Sequence, residues 1–95
     1  MFKFYRGTTV GEAGELSNDK QFSAVTFWTD VEERARQYSK GAVLEIVFDI
    51  IPPNFDHYRS TCHGNLAHGT FYQWVIPAVY FNETMSNYIE EAHIV

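Results

Sequence analysis

The fold of this chain is decided by the run AVLEIVFDII at residues 42–51. Side chains along a β-strand point alternately to opposite faces. One face would therefore carry Ala42, Leu44, Ile46, Phe48 and Ile50, and the other Val43, Glu45, Val47, Asp49 and Ile51. Pro52 and Pro53 follow, and proline cannot donate to a strand ladder. We predict a central β-strand over residues 42–51, with Trp74 and Ile76 joining Leu44, Ile46 and Phe48 in the core.

The segments on either side predict an α+β domain of mostly antiparallel β-sheets with one main helix. Further strands are predicted at residues 2–5, 22–28, 71–76, 78–81 and 88–95. Thr29-Asp30-Val31-Glu32 has the form of a capping box, so the helix is expected from residue 30 to about 39, with Gly41 as its left-handed cap. Glycine-rich polar segments at residues 7–20 and 54–70 predict long loops, and residues 82–84 predict a turn.

Composition narrows the possible functions. Ninety-five residues predict a single domain spanning residues 1–95. The net charge of −5 disfavours direct binding to a nucleic-acid backbone and permits a protein partner. The single cysteine, Cys62, excludes an internal disulfide and favours a reducing, cytoplasmic setting. The sequence shows neither a signal peptide nor an apolar run long enough to span a bilayer.

Three short motifs occur in a suggestive order. Tyr5-Arg6-Gly7 ends the first strand, Thr26-Phe27-Trp28-Thr29 leads into the helix that carries Tyr38, and a late strand passes through Gln73 to Pro77. Together these motifs resemble the skeleton of an ADP-ribosyltransferase. The resemblance spans nearly the whole chain. It implies an ADP-ribosyltransferase-like fold with a cleft for NAD or a related nucleotide.

The resemblance also implies a role for each motif. Arg6 would hold a phosphate or ribose, which suits the forked guanidinium. Trp28 and Thr29 would line the nicotinamide pocket, and Tyr38 would stack on the cationic ring. Gln73 occupies the position of the catalytic glutamate, four residues before the proline. An amide accepts a hydrogen bond but has no net charge, so the resemblance implies that transfer activity is weak or lost.

Other interpretations stay open on the sequence alone, including whether the domain is an enzyme at all. Arg6 could pair with a surface acid, Thr29 could be a helix cap with no other role, and Tyr38 could be a core residue. Asp56 or Glu83 could replace the missing glutamate if the fold brought either of them close. A non-catalytic alternative is a small acidic inhibitor, encoded by a phage or mobile element, that binds a host or defence protein.

One more cluster is His57, Cys62, His63 and His68, in a single predicted loop. Histidine and thiolate ligate zinc, but the spacing fits no familiar zinc site, and a cysteine nucleophile would lack an orienting acid. We therefore predict no metal site, and the loop is expected to form a polar rim beside the cleft.

Overall fold

The computed structural model describes residues 1–19, 22–63 and 70–95. Within these residues the chain forms β1 (Phe2–Thr9), α1 (Val10–Asp19), β2 (Thr26–Trp28), α2 (Glu32–Gln37), β3 (Gly41–Phe48), β4 (Arg59–His63), β5 (Thr70–Ile76), α3 (Ala78–Glu83) and β6 (Ile89–Ile94), with 3₁₀ turns at Phe55–Tyr58 and Met85–Tyr88. The prediction of an α+β domain with antiparallel sheets is confirmed. The prediction of one main helix is wrong, because three short α-helices occur in the described part of the chain.

The first sheet has the order β1-β3-β6, and all its pairings are antiparallel. The predicted strand at residues 42–51 is confirmed as the central one, although it ends at Phe48. Every side chain from Ala42 to Phe48 is buried, so both faces of β3 are covered. This burial includes Glu45, the only charged residue of the strand.

The second sheet has the order β2-β5-β4 and is also antiparallel. The strand predicted at residues 71–76 is confirmed as its central strand. Among the residues that the structure describes, one β-bridge connects the two sheets. The Tyr5 N–H donates to the Thr29 carbonyl at 2.7 Å, and the Thr29 N–H donates to the Tyr5 carbonyl at 2.9 Å. The two sheets thus meet at one point along β1.

The core lies between the two sheets and is largely aromatic. The five predicted core residues, Leu44, Ile46, Phe48, Trp74 and Ile76, are all buried, which confirms that prediction. The Phe4 ring centroid lies 4.9 Å from that of Phe55 and 5.0 Å from that of Trp74, both edge-on. Aromatic pairs of this geometry contribute about 0.5–1.5 kcal/mol each beyond the area that they bury.

The prediction of a loop at residues 7–20 is wrong for residues 7–19, and Lys20 lies outside the described residues. β1 continues to Thr9, and α1 follows it directly. The Thr9 hydroxyl accepts the Glu12 N–H at 3.1 Å, which is the hydrogen bond of a helix N-cap. Ala13 is fully buried, so tertiary packing offsets the low helix propensity of the glycines in this segment.

The predicted capping box at Thr29 is wrong. Helix α2 begins at Glu32, and Val31 occupies the N-cap position without a side-chain cap. The Thr29 hydroxyl instead accepts the Val31 N–H at 3.2 Å, since Thr29 itself is held in the bridge to β1. The helix ends at Gln37 rather than about residue 39. Gly41 is the first residue of β3 rather than the helix cap, and it has a φ of +121°.

Three assignments around the second sheet need correction. The strand predicted at residues 22–28 is restricted to β2, because the Phe22 main chain is hydrogen-bonded to the Asn82 side chain instead of to a strand. The strand predicted at residues 78–81 is helix α3, and the predicted turn at 82–84 is largely the end of that helix. This helix places the fully buried Phe81 against the Trp28 ring, stacked at 6.0 Å.

The loop predicted at residues 54–70 is also wrong where the structure describes it. Phe55 is buried and anchors the 3₁₀ turn, and β4 then pairs with β5 at the edge of the sheet. Residues 64–69, including His68, lie outside the described residues. The strand predicted at 88–95 is confirmed with tighter bounds as β6.

Gly7 allows α2 to lie directly on β1. A Cβ atom at Gly7 would collide with the Ala35 carbonyl oxygen and would lie 2.7 Å from the Ser39 nitrogen and 2.8 Å from the Tyr38 carbonyl carbon. All three atoms belong to the main chain, so a side chain at this position would have to move the helix itself. The spacing between α2 and the first sheet therefore depends on this glycine.

We expect Gly7→Ala to lower the free energy of unfolding by about 2–3 kcal/mol, because it overpacks a main-chain contact. Urea denaturation would measure the change. Gly14→Ala is the matched control. A Cβ there meets open space within a helix, so it should stabilise the protein by about 0.5–1 kcal/mol. Equal effects of the two substitutions would contradict the close approach of α2 to β1.

Candidate functional site

A concavity of about 380 Å³ lies beside the point where the two sheets meet, and helix α2 borders it. We call it the α2 concavity. All five residues that the sequence pointed to line it, namely Arg6, Trp28, Thr29, Tyr38 and Gln73. The structure therefore brings together residues that are widely separated along the chain. The sequence analysis missed its other lining residues, which are Tyr5, Gly7, Phe27, Ala35 and Phe71.

The sheet register determines which main-chain groups of β1 lie at the edge of the α2 concavity. Tyr5 exchanges both of its main-chain hydrogen bonds with Thr29, so its N–H and C=O point away from β3. Alternate residues of a strand face the same edge, so the N–H and C=O of Gly7 also point toward β2. The α2 concavity thus has a peptide donor and a peptide acceptor at its edge. The signal for this in the sequence is the glycine after Arg6.

Trp28 and Thr29 support the wall of the concavity from within. The Trp28 side chain is fully buried, and its indole N–H donates to the Thr26 hydroxyl at 2.7 Å. The Thr29 hydroxyl donates to the Tyr72 carbonyl at 3.2 Å, which ties the end of β2 to β5. Both side chains are therefore committed to the fold, and neither offers a large surface to a ligand.

Tyr38 and Gln73 are more accessible parts of the wall than the buried Phe71. Tyr38 is the residue that follows the last turn of α2, and it is 59% exposed, so its ring can receive a flat group. Phe71 is buried, with the Arg34 guanidinium 4.3 Å from its ring centroid. Gln73 is half-buried on β5, where it pairs in register with Ser60 of β4.

Arg6 borders a second concavity of about 610 Å³, which also contains residues of α1 and of the segment before β2. We call it the α1 concavity. The Arg6 Nε atom donates to the Glu12 carboxylate at 2.8 Å, and the guanidinium carbon lies 5.6 Å from the Phe22 ring centroid. Glu12 and Phe22 line this second concavity and not the first. Arg6 thus joins the two concavities, and its charged end is directed toward the larger one.

Neither acid proposed as a substitute for the missing glutamate lines the two concavities. Asp56 accepts a hydrogen bond from the Trp74 indole N–H at 3.3 Å and lines a different surface depression. Glu83 is an exposed residue at the end of α3. The acid that borders a concavity is Glu12, which the sequence analysis did not single out.

The metal question can be addressed for part of the cluster only. Residues 1–19, 22–63 and 70–95 contain no group of three or more histidine, cysteine, aspartate or glutamate side chains arranged to hold a metal ion. His57 lies in the 3₁₀ turn with its ring edge-on to Tyr58. His68 lies outside the described residues.

Comparison with known proteins returns no significant match to a family model, to a curated protein or to a solved structure. The ADP-ribosyltransferase resemblance therefore rests on the sequence motifs alone. None of the helices in the described part of the chain has the length and apolarity needed to cross a bilayer.

Two tyrosines have a pKa above the ordinary value for a phenol. Burial raises the pKa of Tyr5 to about 12, helped by its hydrogen bond to Glu45 and by the charges of Glu45 and Glu32. Burial also raises the pKa of Tyr80 to about 12, with smaller effects of Tyr58 and Tyr88. The Tyr80 hydroxyl donates to the Pro53 carbonyl at 2.7 Å, a bond that requires the neutral phenol.

We expect Tyr5→Phe and Tyr80→Phe each to remove one group that ionises near pH 12. A tyrosine whose pKa is raised in the folded state stabilises the fold fully below about pH 10, and this stability is lost as the pH rises through about 12. Phenolate absorbance measures the titration, and urea denaturation at rising pH measures the stability. Loss of a group ionising near pH 10 in Tyr5→Phe would show that its hydroxyl is not buried against Glu45.

Proposed function

We propose that the α2 and α1 concavities together bind NAD or a related nucleotide, and that the domain acts mainly by binding, with ADP-ribosyl transfer weak or lost. The observation that carries this proposal is the convergence of Arg6, Trp28, Thr29, Tyr38 and Gln73 on one concavity. These residues were selected from the sequence for their resemblance to an ADP-ribosyltransferase. Their meeting at one surface is what such a site requires.

The side chains and main chain present are chemically suited to such a ligand. A carboxamide is both donor and acceptor, so it complements the strand edge at Gly7. The exposed Tyr38 ring can receive a flat cationic ring. The Arg6 guanidinium lies between the two concavities, where it can reach a phosphate of a ligand that spans both.

The same site is poorly equipped for cleavage of the nicotinamide–ribose bond. Positive charge develops on the ribose as that bond breaks, and a fixed carboxylate would stabilise it. Gln73 presents an uncharged amide on this wall. Each 1.4 kcal/mol of lost transition-state stabilisation slows a reaction about tenfold. The expected role of Gln73 is therefore to orient a bound ligand rather than to drive its cleavage.

We expect the protein to bind NAD and ADP-ribose in isothermal titration calorimetry, and Arg6→Ala to weaken both by roughly tenfold or more, because a charge-assisted contact to phosphate is lost. Arg36→Ala is the matched control. Arg36 pairs with Glu32 on the exposed face of α2 and lines neither concavity. Its removal should leave affinity unchanged.

Absence of binding to NAD and ADP-ribose by the unaltered protein would reject the nucleotide proposal. It would favour the acidic inhibitor that docks on a host or defence protein. In that case charge reversal at surface acids would weaken partner binding, whereas Gln73→Ala would not.

We expect Gln73→Glu to raise nicotinamide release from NAD by at least tenfold over the unaltered protein, because it restores a charge where positive charge develops. Gln37→Glu is the control for an added acid, since Gln37 is exposed and lines neither concavity. The Arg6→Ala change in the Gln73→Glu background should abolish the gain. Robust turnover by the unaltered protein that is lost in Arg6→Ala would overturn the binding-only proposal.

A further inference from the structure

Three polar residues form a row across the first sheet. Tyr5 of β1 lies directly opposite Glu45 of β3, and Glu45 lies directly opposite His93 of β6. Directly opposed side chains of a sheet share one face and touch. The row therefore runs from a residue that lines the α2 concavity to the far edge of the sheet.

The contacts along the row are continuous. His93 Nε2 lies 2.7 Å from Glu45 Oε1, and the Tyr5 hydroxyl is hydrogen-bonded to the same carboxyl group. The Glu45 side chain is only 8% exposed, whereas that of His93 is 47% exposed. A buried acid is thus held between a tyrosine at the concavity and a histidine at the surface.

Other charged groups also lie near the row. Glu32 of α2 is the helix residue whose charge acts on the Tyr5 hydroxyl. Lys3 and Glu91 lie two residues along β1 and β6 on the same face, where both are paired in register with Val47.

The remaining helix beside the first sheet is α1, which contacts all three of its strands. Its Glu12 is already bound to Arg6. Within the described residues, His93 is therefore the basic side chain recorded in contact with Glu45.

We propose that Glu45, acting through Tyr5, makes the α2 concavity selective for a cationic ring over a neutral ring of the same shape, and that His93 sets the strength of this selectivity. This inference rests on the proposed nucleotide site. Glu45 acts here through Tyr5, because Tyr5 lines the concavity and the acid behind it does not.

The direction of the pH effect follows from charge balance. Histidine is the side chain that ordinarily gains or loses its charge between about pH 5 and 8. A protonated His93 balances the charge of Glu45, so the concavity is less negative at low pH. A neutral His93 leaves the carboxylate unbalanced, so a cation is held more tightly at high pH.

The test uses NAD⁺ and NADH, which share the carboxamide, the riboses and the phosphates but differ in the charge of the nicotinamide ring. The measured quantity is the NADH dissociation constant divided by that of NAD⁺, obtained by calorimetry at constant ionic strength. We expect this ratio to rise roughly three- to tenfold between about pH 6 and pH 8 in the unaltered protein. His93→Gln should hold the ratio at its high-pH value at both pH values.

Two further variants make the result specific. Glu45→Gln should lower the ratio and remove its pH dependence. Because Glu45 is buried, the folding of the Glu45→Gln variant is checked by circular dichroism. If that variant does not fold, His93→Gln supplies the independent result. His57→Gln is the matched control, since His57 is exposed in a 3₁₀ turn and lines neither concavity. It should keep the pH dependence of the unaltered protein.

A ratio that does not change with pH in the unaltered protein would overturn the inference while leaving the nucleotide site intact. A pH dependence that persists in His93→Gln would overturn it as well. Binding of neither NAD⁺ nor NADH would overturn the proposed function together with this inference.

Discussion

The main-chain bridge between Tyr5 and Thr29 is the constraint on which the rest of the structure depends. It is the point at which the two three-stranded sheets join, and both of its residues line the α2 concavity. A longer β1–β2 ladder would bring the strands together along their length and close the space between them. A missing bridge would leave the sheets joined only through side-chain packing. One bridged pair therefore fixes the relative position of the sheets, and the N–H and C=O of Gly7 lie on the same edge of β1 as the bridge.

The close approach of α2 to β1 adds a second constraint to the same place. Only glycine at position 7 lets the Ala35 carbonyl lie against the strand, and this approach positions Tyr38 at the rim of the α2 concavity. On the other side of the concavity, the Thr29 hydroxyl holds β5 and thus Gln73. The concavity is therefore bounded by main-chain contacts and by a side-chain hydrogen bond, whose geometry tolerates little change. Its exposed rim is less constrained.

The sequence predicted the elements whose pattern arises from burial, and it failed where tertiary contacts decide. The run at residues 42–51 was identifiable because every second residue is strongly apolar. The pattern of a hydroxyl followed three residues later by glutamate occurs at both Thr9 and Thr29, yet only Thr9 caps a helix, because Thr29 is held in the bridge. Residues 79–81 are β-branched or aromatic, but they belong to a helix that packs Phe81 on Trp28. For the site, the order of the three motifs along the chain indicated Arg6 and Gln73. The Tyr5–Glu45–His93 row could not be predicted in this way, because it depends on strand register, which the sequence does not specify.

The distribution of acids around the concavities bears on the proposal that the domain binds a nucleotide without transferring ADP-ribose. Glu12 is bound to Arg6, and Glu45 is bound to His93 and Tyr5, so each acid near the site is already paired. Gln73, which lines the concavity itself, is neutral. A carboxylate behind Tyr5 can favour a cationic ligand through its field, because that effect acts over several ångströms even across a side chain. Catalysis by a carboxylate demands more, since the acid must hydrogen-bond the reacting sugar as its charge develops. For the proposed ligand, the field of Glu45 would act across Tyr5 while its hydrogen bonds would not reach the ribose, an arrangement that would favour recognition of a cation over cleavage of its bond to ribose.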